Sequence, residues 1–285
     1  NGGSRGGRIY TLFDAKLLAT DEVKQVQKLF RDGFRQREND ELASLLKHSD
    51  MRVRQRAQFA LAERGETAIG VLVTATQQRD HLLSRLHGIW GLGQVARKSP
   101  AAAESLIGLL SDSEPEIRAN AAKTLGDLRL TAAGESLLKL LKDEHPRVRF
   151  WAATALGQIK HQSAVDSLFA LLKENANQDR YLRHACVFAL SQVCTPKTLL
   201  AYSSDESAAV RLGIVLALRL QTNSEVVRFL TDADLTVATE AARAVSDLHL
   251  DEQMPKLAAL ADSLALSGGS IAEPLARRIL NANFR

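Results

Sequence analysis

A nine-residue pattern recurs along this chain and constrains its fold more than any other feature of the sequence. An apolar residue precedes an arginine, and a leucine follows seven positions after that arginine, as in "VRQRAQFAL", "IRANAAKTL", "VRFWAATAL", "LRHACVFAL" and "VRLGIVLAL". "SRLHGIWGL" fits the same frame, and "VATEAARAV" fits with Ala238 in place of the arginine. Counted from Arg54, the spacings are 31, 33, 31, 34, 28 and 27 residues. This is the period of a repeat built from two helices.

The columns of this repeat predict one buried face on each second helix. The residue three positions after the arginine is mostly small, as expected where helices approach closely, and the residue seven positions after is Leu or Val. A shorter apolar segment precedes each copy, for example "ELASLLKH", "AAESLIGLLS", "GESLLKLLKD" and "VDSLFALLKE". Each unit is therefore predicted to be a helical hairpin. Only 5% of residues are aromatic and β-branched runs are scarce, which also favours an all-α fold.

Acidic residues stand six positions before several of the arginines, in the loops that open the second helices. A carboxylate there can accept hydrogen bonds from free N–H groups and can pair with an arginine of its own or the neighbouring repeat. We interpret these residues as a structural ladder rather than a site. Its members are Arg54, Arg85, Asp112, Arg118, Asp143, Arg149, Arg183, Asp205, Arg211 and Asp232.

Two segments carry a resemblance to a known family. "DSEPEIRANAAKTLG" and "DEHPRVRFWAATALG" are close to the pattern D-x-x-P-x-V-R-x-x-A-A-x-A-L-G, and the chain resembles HEAT repeats of the short phycobilisome-lyase type. The resemblance implies a right-handed α-solenoid of about seven to eight hairpins over residues 40–267. "SIAEPLARRIL" then predicts a capping repeat over 268–285, and residues 14–39 are predicted to form a linker helix.

The N-terminal residues carry a second resemblance. "GGRIYTLF" alternates apolar and other residues, which predicts that residues 1–13 hold one β-strand left from a preceding domain. With "HSDMRVRQRAQFALAERG" and "RLHGIWGLGQVAR", this end resembles the middle region of putative membrane-bound dehydrogenases of planctomycetes and verrucomicrobia. In that group a sorbosone dehydrogenase-like propeller precedes HEAT repeats and a c-type haem domain follows. The resemblance implies a periplasmic or cell-envelope parent protein, with haem or quinone outside this segment.

No cofactor, metal or catalytic site is expected within the segment. Gly91, Gly93 and Ala96 match a G-x-G-x-x-A dinucleotide fingerprint, but helical spacing rather than a strand precedes them, so they are interpreted as small residues inside a repeat helix. There is no C-x-x-C-H haem motif, and the seven His residues are scattered singly. No His-Glu pair occurs, which departs from the HEAT-repeat hydroxylase that binds di-iron. Cys186 and Cys194 are expected to be free thiols with packing roles.

Charge and hydropathy limit the class of partner. The net charge is +4, from 37 basic and 33 acidic residues with both signs interspersed, so neither nucleic acid nor an anionic membrane is predicted as a partner. The most apolar window, "LGIVLAL", is far too short to cross a bilayer. Two alternatives stay open: a tetrapyrrole-handling protein similar to the bilin lyases, and a nucleic-acid-binding HEAT-like groove.

A candidate binding surface follows from the same repeat frame. Two and five residues after the arginine position, and one turn further on, a second helix should point away from its core face. Those columns carry aromatic and polar side chains, a combination typical of protein recognition. They are Arg56, Phe59, His87, Trp90, Gln94, Asn120, Lys123, Trp151, Gln158 and Phe188. We predict a non-catalytic scaffold that docks a protein or a neighbouring domain of the same chain, with no small-molecule substrate. The alternative that Trp90, Trp151 and Phe188 pack against a neighbouring repeat or domain stays open.

Overall fold

The chain folds into helices joined by short turns. The computed structural model describes residues 10, 13–261 and 273–283, and no β-strand occurs among them. The prediction of an all-α fold is therefore confirmed for this part of the chain. Most of the strand predicted over residues 1–13 lies outside the described residues, and Tyr10, Phe13 and Asp14 have no regular secondary structure in this structure. The chain divides into two compact units, Asn1–Ala102 and Ala103–Arg285.

The first unit contains two helical hairpins preceded by a shorter helical segment. The segment predicted as one linker helix forms two helices instead. Thr20 begins the second of them by accepting a hydrogen bond from Val23 N, and Gly33 ends it at a φ of +76°. The hairpins pair α3 with α4 and α5 with α6, and α6 also packs on α4. The helices are α1 Ala15–Leu18, α2 Asp21–Asp32, α3 Asn39–Leu45, α4 Met51–Glu63, α5 Ile69–Thr76 and α6 Leu82–Ala96, with a 3-10 turn over Gly65–Ala68.

The second unit repeats the same hairpin. After α7 (Ala101–Glu104), which lies at the boundary of the two units, its α-helices are α8 Pro115–Asp127, α9 Gly134–Lys139, α10 Pro146–Gln158, α11 Val165–Asn175, α12 Arg180–Val193, α13 Pro196–Leu200, α14 Ala208–Leu220, α15 Leu235–Asp247, α16 Met254–Ala258 and α17 Glu273–Asn283. The second helices of consecutive hairpins, α8, α10, α12, α14 and α15, pack on one another in chain order. In the segment predicted as a cap, α17 packs on α15 and α16 and buries Leu275 and Ile279.

Several first helices of the hairpins differ from the sequence expectation. They are partly or wholly 3-10 helix, over Ile107–Ser111, Thr131–Ala133, Leu140–Lys142, Gln162–Ala164, Ser224–Phe229 and Asp251–Gln253. Short segments of this kind tighten to i to i+3 bonding because too few residues are available for full α-helical turns.

The core columns lie where the repeat frame puts them. The residues seven positions after the arginine are fully buried in every repeat: Leu61, Leu92, Leu125, Leu156, Leu190, Leu218 and Val245. The small-residue column is buried as well. Glycine extends this close approach in the second unit, where a Cβ built on Gly157 would stand 2.7 Å from the Cα of Ala189 on α12. Backbone therefore meets backbone at this position.

Most second helices end in the same backbone motif. The residue eleven positions after the ladder position takes a left-handed conformation: Gly65 at φ +64°, Arg129 at +53°, Lys160 at +55°, Thr222 at +53° and His249 at +51°. In the four non-glycine copies the next amide donates to a carbonyl five residues back, as His161 N does to Leu156 O at 3.0 Å. This bond satisfies a carbonyl that the helix end leaves without a partner, and it sets the direction of the chain into the next hairpin.

Ladder arginines tie consecutive repeats together at two places in the second unit. Arg118 donates from Nε to Asp143 Oδ2 at 2.7 Å and from Nη2 to Asp143 Oδ1 at 2.9 Å. Arg211 makes the same two bonds to Asp232, at 2.7 and 2.9 Å. In each case the remaining Nη1 donates to carbonyls of its own repeat's loop, Asp112 O for Arg118 and Asp205 O for Arg211, both at 2.8 Å. One guanidinium therefore fixes two loops.

The aspartates of the ladder also bond to the backbone of their own loops. Asp112, Asp143, Asp205 and Asp232 each accept a hydrogen bond at 2.8 to 2.9 Å from the amide two residues later. That amide belongs to the residue just before the second helix, so these carboxylates shape the loop rather than cap the helix itself. Hydrogen bonds from Arg211 lower the pKa of Asp232 and outweigh the opposing effect of burial.

The other ladder arginines keep the bond to their own loop. Arg54 donates to His48 O and Ser49 O at 2.7 Å, and Arg149 donates to Asp143 O at 2.8 Å. Arg85 Nε donates to Thr76 O at 2.6 Å. Arg183 Nη1 reaches only Asn177 Oδ1, at 3.4 Å.

Because of the close approach at Gly157, alanine should destabilise the protein there, the opposite of its usual effect in a helix. Alanine stabilises a helix interior relative to glycine by up to about 1 kcal/mol. We expect Gly157→Ala to destabilise the protein by about 1 to 3 kcal/mol, because α12 must move to admit the methyl group. Gly70→Ala in α5 is the matched control, since nothing lies within 4 Å of its Cβ position, and it should be neutral or stabilising. Urea unfolding of both variants tests this, and equal responses would contradict it.

Replacing a ladder aspartate by asparagine should cost more stability where the aspartate pairs with an arginine than where it does not. Asp143 and its arginine are both nearly buried, with side chains 8% and 11% exposed. We expect Asp143→Asn to cost about 2 to 4 kcal/mol of unfolding free energy, because it leaves the Arg118 cation without its counter-charge. Among the described residues, no arginine pairs with the Asp205 carboxylate and Lys173 Nζ lies 3.7 Å from it, so Asp205→Asn should cost less than about 1 kcal/mol. Similar losses for both variants in denaturant titrations would show that the ladder bond contributes nothing.

Candidate protein-binding surface

In the first unit, the predicted surface residues separate into accessible and buried positions. Arg56 is exposed and Phe59 is half-buried, and both line a cavity of about 420 Å³ together with Phe30 and Phe34. Trp90 is 38% exposed, and Gln94 is half-buried. These four side chains leave part of their surface accessible on α4 and α6.

His87 does not face outward, so this part of the sequence prediction is wrong. The side chain is 5% exposed and enters a polar layer between α4 and α6. Its Nδ1 lies 2.7 Å from Gln58 Oε1, and Arg54 Nε donates to its Nε2 at 3.4 Å. Gln58 Nε2 continues the layer to Gln94 Oε1 at 3.2 Å. The polar partners on α4 hold the ring inside, which the columns of a single helix do not reveal.

The position of His87 changes its acid–base chemistry. Burial first, and then the charge of Arg54, lower its pKa from 6.5 to about 4. The imidazole is therefore neutral at pH 7, as the hydrogen bond that Nε2 accepts from Arg54 requires. Trp90 packs edge-on against this ring, with ring centroids 5.0 Å apart. His87 acts as a support beneath Trp90 rather than as a contact for a partner.

In the second unit, four of the five predicted side chains are partly accessible. Asn120 is the exception: it is 8% exposed, and its amide donates to Glu116 O of its own helix at 2.8 Å. The expectation of an outward-facing Asn120 is therefore wrong, because its short side chain satisfies its donor on the backbone one turn earlier. Lys123, Trp151, Gln158 and Phe188 are half-buried.

A small network joins Lys123, Trp151 and Gln158 across α8 and α10. Lys123 Nζ lies 5.3 Å from the centre of the Trp151 ring and 2.6 Å from Asp127 Oδ2. Gln158 Nε2 donates to the other carboxylate oxygen of Asp127 at 3.2 Å. The Trp151 ring thus contacts a cation and the neighbouring Phe150 ring, whose centroid is 4.9 Å away, and the side chain remains partly accessible. Phe188 follows on α12, beside Gly157.

The repeat columns missed a groove between α12 and α14. It encloses about 570 Å³ and is lined by Arg180, Tyr181, Arg183, His184, Val187, Leu216, Arg219, Leu220 and Leu248. Tyr181 and Leu220 are 63% and 57% exposed, large values for apolar or aromatic side chains. Helical spacing contained the signal, because His184 and Tyr181 stand four and seven residues before Phe188 and so share its face. The columns counted forward from the arginine passed over both residues.

The two thiols are buried and have weak acidity. Burial raises the pKa of Cys186 to about 12 and that of Cys194 to about 11. Both are free, as expected from their separation on the chain. A thiol of this kind supplies almost no thiolate at neutral pH, so neither is suited to nucleophilic or metal chemistry.

Within the part of the chain that the structure describes, no helix combines the length and the apolar character that a membrane span requires.

Comparison with known families identifies the repeat. Residues 104–191 match the family model of HEAT repeats, in the stretch that contains α8, α10 and most of α12. Over this stretch the all-α fold is therefore of the HEAT α-solenoid class. No curated protein matches the sequence.

The solved structures to which the chain is similar are distant in sequence. YibA of Escherichia coli is 19% identical, with a TM-score of 0.51 over 97% of this chain and 100% of that chain. The CpcE–CpcF complex of phycocyanin lyase from Nostoc is 22% identical, with a TM-score of 0.45 over 75% of this chain and 92% of that one. Human deoxyhypusine hydroxylase is 19% identical, with a TM-score of 0.38 over 86% and 94%. At 19% identity the likeness to YibA concerns the fold alone.

The lowered pKa of His87 predicts a specific loss of stability in mild acid. Between pH 6.5 and about 4 the unfolded chain binds a proton that the folded chain does not, so stability is complete above pH 6.5 and falls as the pH drops toward 4. The loss from this group should reach about 2 to 3 kcal/mol. His87→Gln should lack that component, whereas His184→Gln, at an exposed position, should retain it.

Fluorescence of Trp90 in a Trp151→Phe background reports this transition beside His87. Urea titrations at several pH values between 7 and 4 give the free energies. If His87→Gln and the unsubstituted chain lose the same stability over that range, His87 is not the responsible group.

Proposed function

We propose that this chain is a protein-binding repeat scaffold, and that the outward face of the second helices of the unit Ala103–Arg285 is its docking surface. The half-buried Trp151, held by Lys123 and Phe150 on a rigid helix pair, carries the proposal. Residues that anchor protein interfaces are enriched in Trp, Tyr and Arg, and preorganised aromatic side chains lose little entropy on binding. Phe188 and the α12–α14 groove extend the same surface with further aromatic and arginine side chains.

The chemistry of this surface favours binding over catalysis. Its carboxylates are engaged with cations or amides, as Asp127 is with Lys123 and Gln158. The strongest potential nucleophiles of the chain, Cys186 and Cys194, are buried with raised pKa values. These features support a non-catalytic role for the segment.

The partner of the surface follows from the larger protein that the N-terminal residues resemble. In a dehydrogenase of that kind, a solenoid would hold a redox propeller and a haem domain at a set distance, in the periplasm or cell envelope. Its second-helix face would then dock one of these domains or a separate protein. A rigid array suits this role because each repeat contacts only its neighbours and the spacing is set by the repeat number.

Site-specific photocrosslinking tests the docking surface. A benzoylphenylalanine residue would replace Trp151 in one variant and Lys139, exposed on α9, in the matched control. In cells that produce the native protein, we expect a discrete crosslinked species from the Trp151 position and none from the Lys139 position. With that partner in hand, Trp151→Ala should weaken binding by about 2 kcal/mol or more while leaving thermal unfolding nearly unchanged.

Two results would overturn the proposal. One is equal crosslinking from both positions, which would indicate nonspecific contact. The other is collapse of folding in Trp151→Ala together with unchanged affinity for the partner, which would assign Trp151 to packing.

A further inference from the structure

On both sides of α12, the ladder arginines do not form the pair with a carboxylate of the next repeat. By the register that joins Arg118 to Asp143 and Arg211 to Asp232, Arg149 should meet the residue at position 177 and Arg183 should meet Asp205. Position 177 is an asparagine rather than an aspartate, and Arg149 Nε is buried without a hydrogen-bond partner. Asp205 lies instead near Lys173 Nζ, at 3.7 Å. Two successive ladder arginines therefore have no carboxylate among the described residues.

The second of these arginines faces the α12–α14 groove. Arg183 lines it, and its one hydrogen bond is the long contact of 3.4 Å to Asn177. Arg180 lines the same groove one turn earlier. Its guanidinium lies 5.0 Å from the centre of the Tyr181 ring, and Nη2 donates to the Tyr181 hydroxyl at 3.1 Å. Tyr181 thus orients the cation without neutralising it.

The opposite wall of the groove carries exposed leucine beside one paired arginine. Leu216 and Leu220 of α14 line it across from Val187 of α12, and Leu220 is 57% exposed. Arg219 on the same wall is already compensated, with Asp247 Oδ2 at 2.7 Å and Glu240 Oε2 at 3.6 Å. The groove therefore offers two arginines without acidic partners and a histidine on one side, and uncovered leucine on the other.

We propose that this groove binds an acidic segment of a partner protein, with a carboxylate on Arg180 and Arg183 and a bulky apolar side chain against Leu216 and Leu220. The inference rests on the proposed function and specifies the chemistry of the docked chain. Arginine pairs with carboxylates through two parallel hydrogen bonds, and the missing ladder carboxylates leave that geometry available. The volume accommodates a few side chains. Nucleic acid is a poorer match, because Glu240 and Asp247 stand beside Arg219 and would face its phosphates.

Defined peptides test the inference without knowledge of the partner. The probe is a fluorescein-labelled decapeptide with two Asp residues, each followed by Leu, in a Gly and Ser background. One matched peptide carries Asn for both Asp residues, and another carries Ala for both Leu residues. Fluorescence anisotropy with the full chain should show saturable binding of the first peptide and affinities at least about tenfold weaker for the other two. Raising the salt from about 50 to about 500 mM should weaken the first interaction.

Variants of the chain locate the contact. Arg180→Ala combined with Arg183→Ala should reduce affinity about tenfold or more, and Leu220→Ala should reduce it less. Arg147→Ala is the matched control, because this exposed arginine of α10 pairs with Glu116 outside the groove, and it should bind normally. Arg183→Glu should reject the acidic peptide and accept one with Lys in place of Asp. That exchange of preference keeps the test valid if the double variant folds poorly.

The outcomes separate this inference from the docking proposal. Equal affinity for the Asp and Asn peptides, or equal loss in the Arg147→Ala control, overturns the acidic-segment assignment. Tighter binding of a labelled oligonucleotide than of the acidic peptide, lost in the double variant, also overturns it in favour of nucleic acid. A specific crosslink at Trp151 without peptide binding would leave the docking surface standing and remove only its proposed ligand chemistry. Peptide binding without any crosslink would support the ligand chemistry of the groove and remove the docking surface at Trp151.

Discussion

The bidentate pair between arginine and aspartate is the interaction that ties consecutive hairpin loops together at two places in the second unit. A single guanidinium holds the loop of its own hairpin through Nη1 and the aspartate of the following hairpin through Nε and Nη2, as Arg118 and Arg211 both do. In an array where each repeat touches only its neighbours, such a bond stabilises one repeat interface, and it forms at two interfaces of the second unit. The pair is also directional, since the planar guanidinium donates two parallel hydrogen bonds to a carboxylate in one orientation. The close helix contact at Gly157 acts instead between α10 and α12, where no such pair forms among the described residues, and most second helices end in the same left-handed turn.

Much of this architecture could be predicted from the sequence because it is periodic. The buried columns of leucine and small residues lie where the spacing puts them, and the aspartates lie in the loops where they were expected. The errors concern residues whose environment is set by another helix. His87 turns inward because Gln58 and Arg54 on α4 supply its polar partners, and Asn120 bonds to its own backbone. The loss of the Arg183 to Asp205 pair was equally hidden, since both residues occupy the expected columns and only the fold reveals that they do not meet.

The candidate site arises where the periodic structure lapses. Before α12 the spacing between ladder arginines reaches 34 residues, the aspartate column holds Asn177, and the ladder arginine Arg183 is left facing a groove. An arginine that has a structural role in other repeats is thereby available to bind a partner. The aromatic residues of the surface follow a different logic. Trp151 and Phe188 fall in the outward columns predicted from the repeat, whereas Tyr181 and His184 lie on the same face but outside those columns.

The turn that ends most second helices has a consequence for how such an array can diverge. Arg129, Lys160, Thr222 and His249 occupy a left-handed conformation that costs an L-residue on the order of 1 to 2 kcal/mol compared with glycine. At position 65 the corresponding residue is glycine, which takes the same left-handed φ without this steric cost. In these four copies the strain comes from the side chain, because glycine would take the same backbone conformation without it. The chain holds latent stability at positions remote from its core columns, and substitutions there could offset the cost of new side chains that evolution places on the binding face.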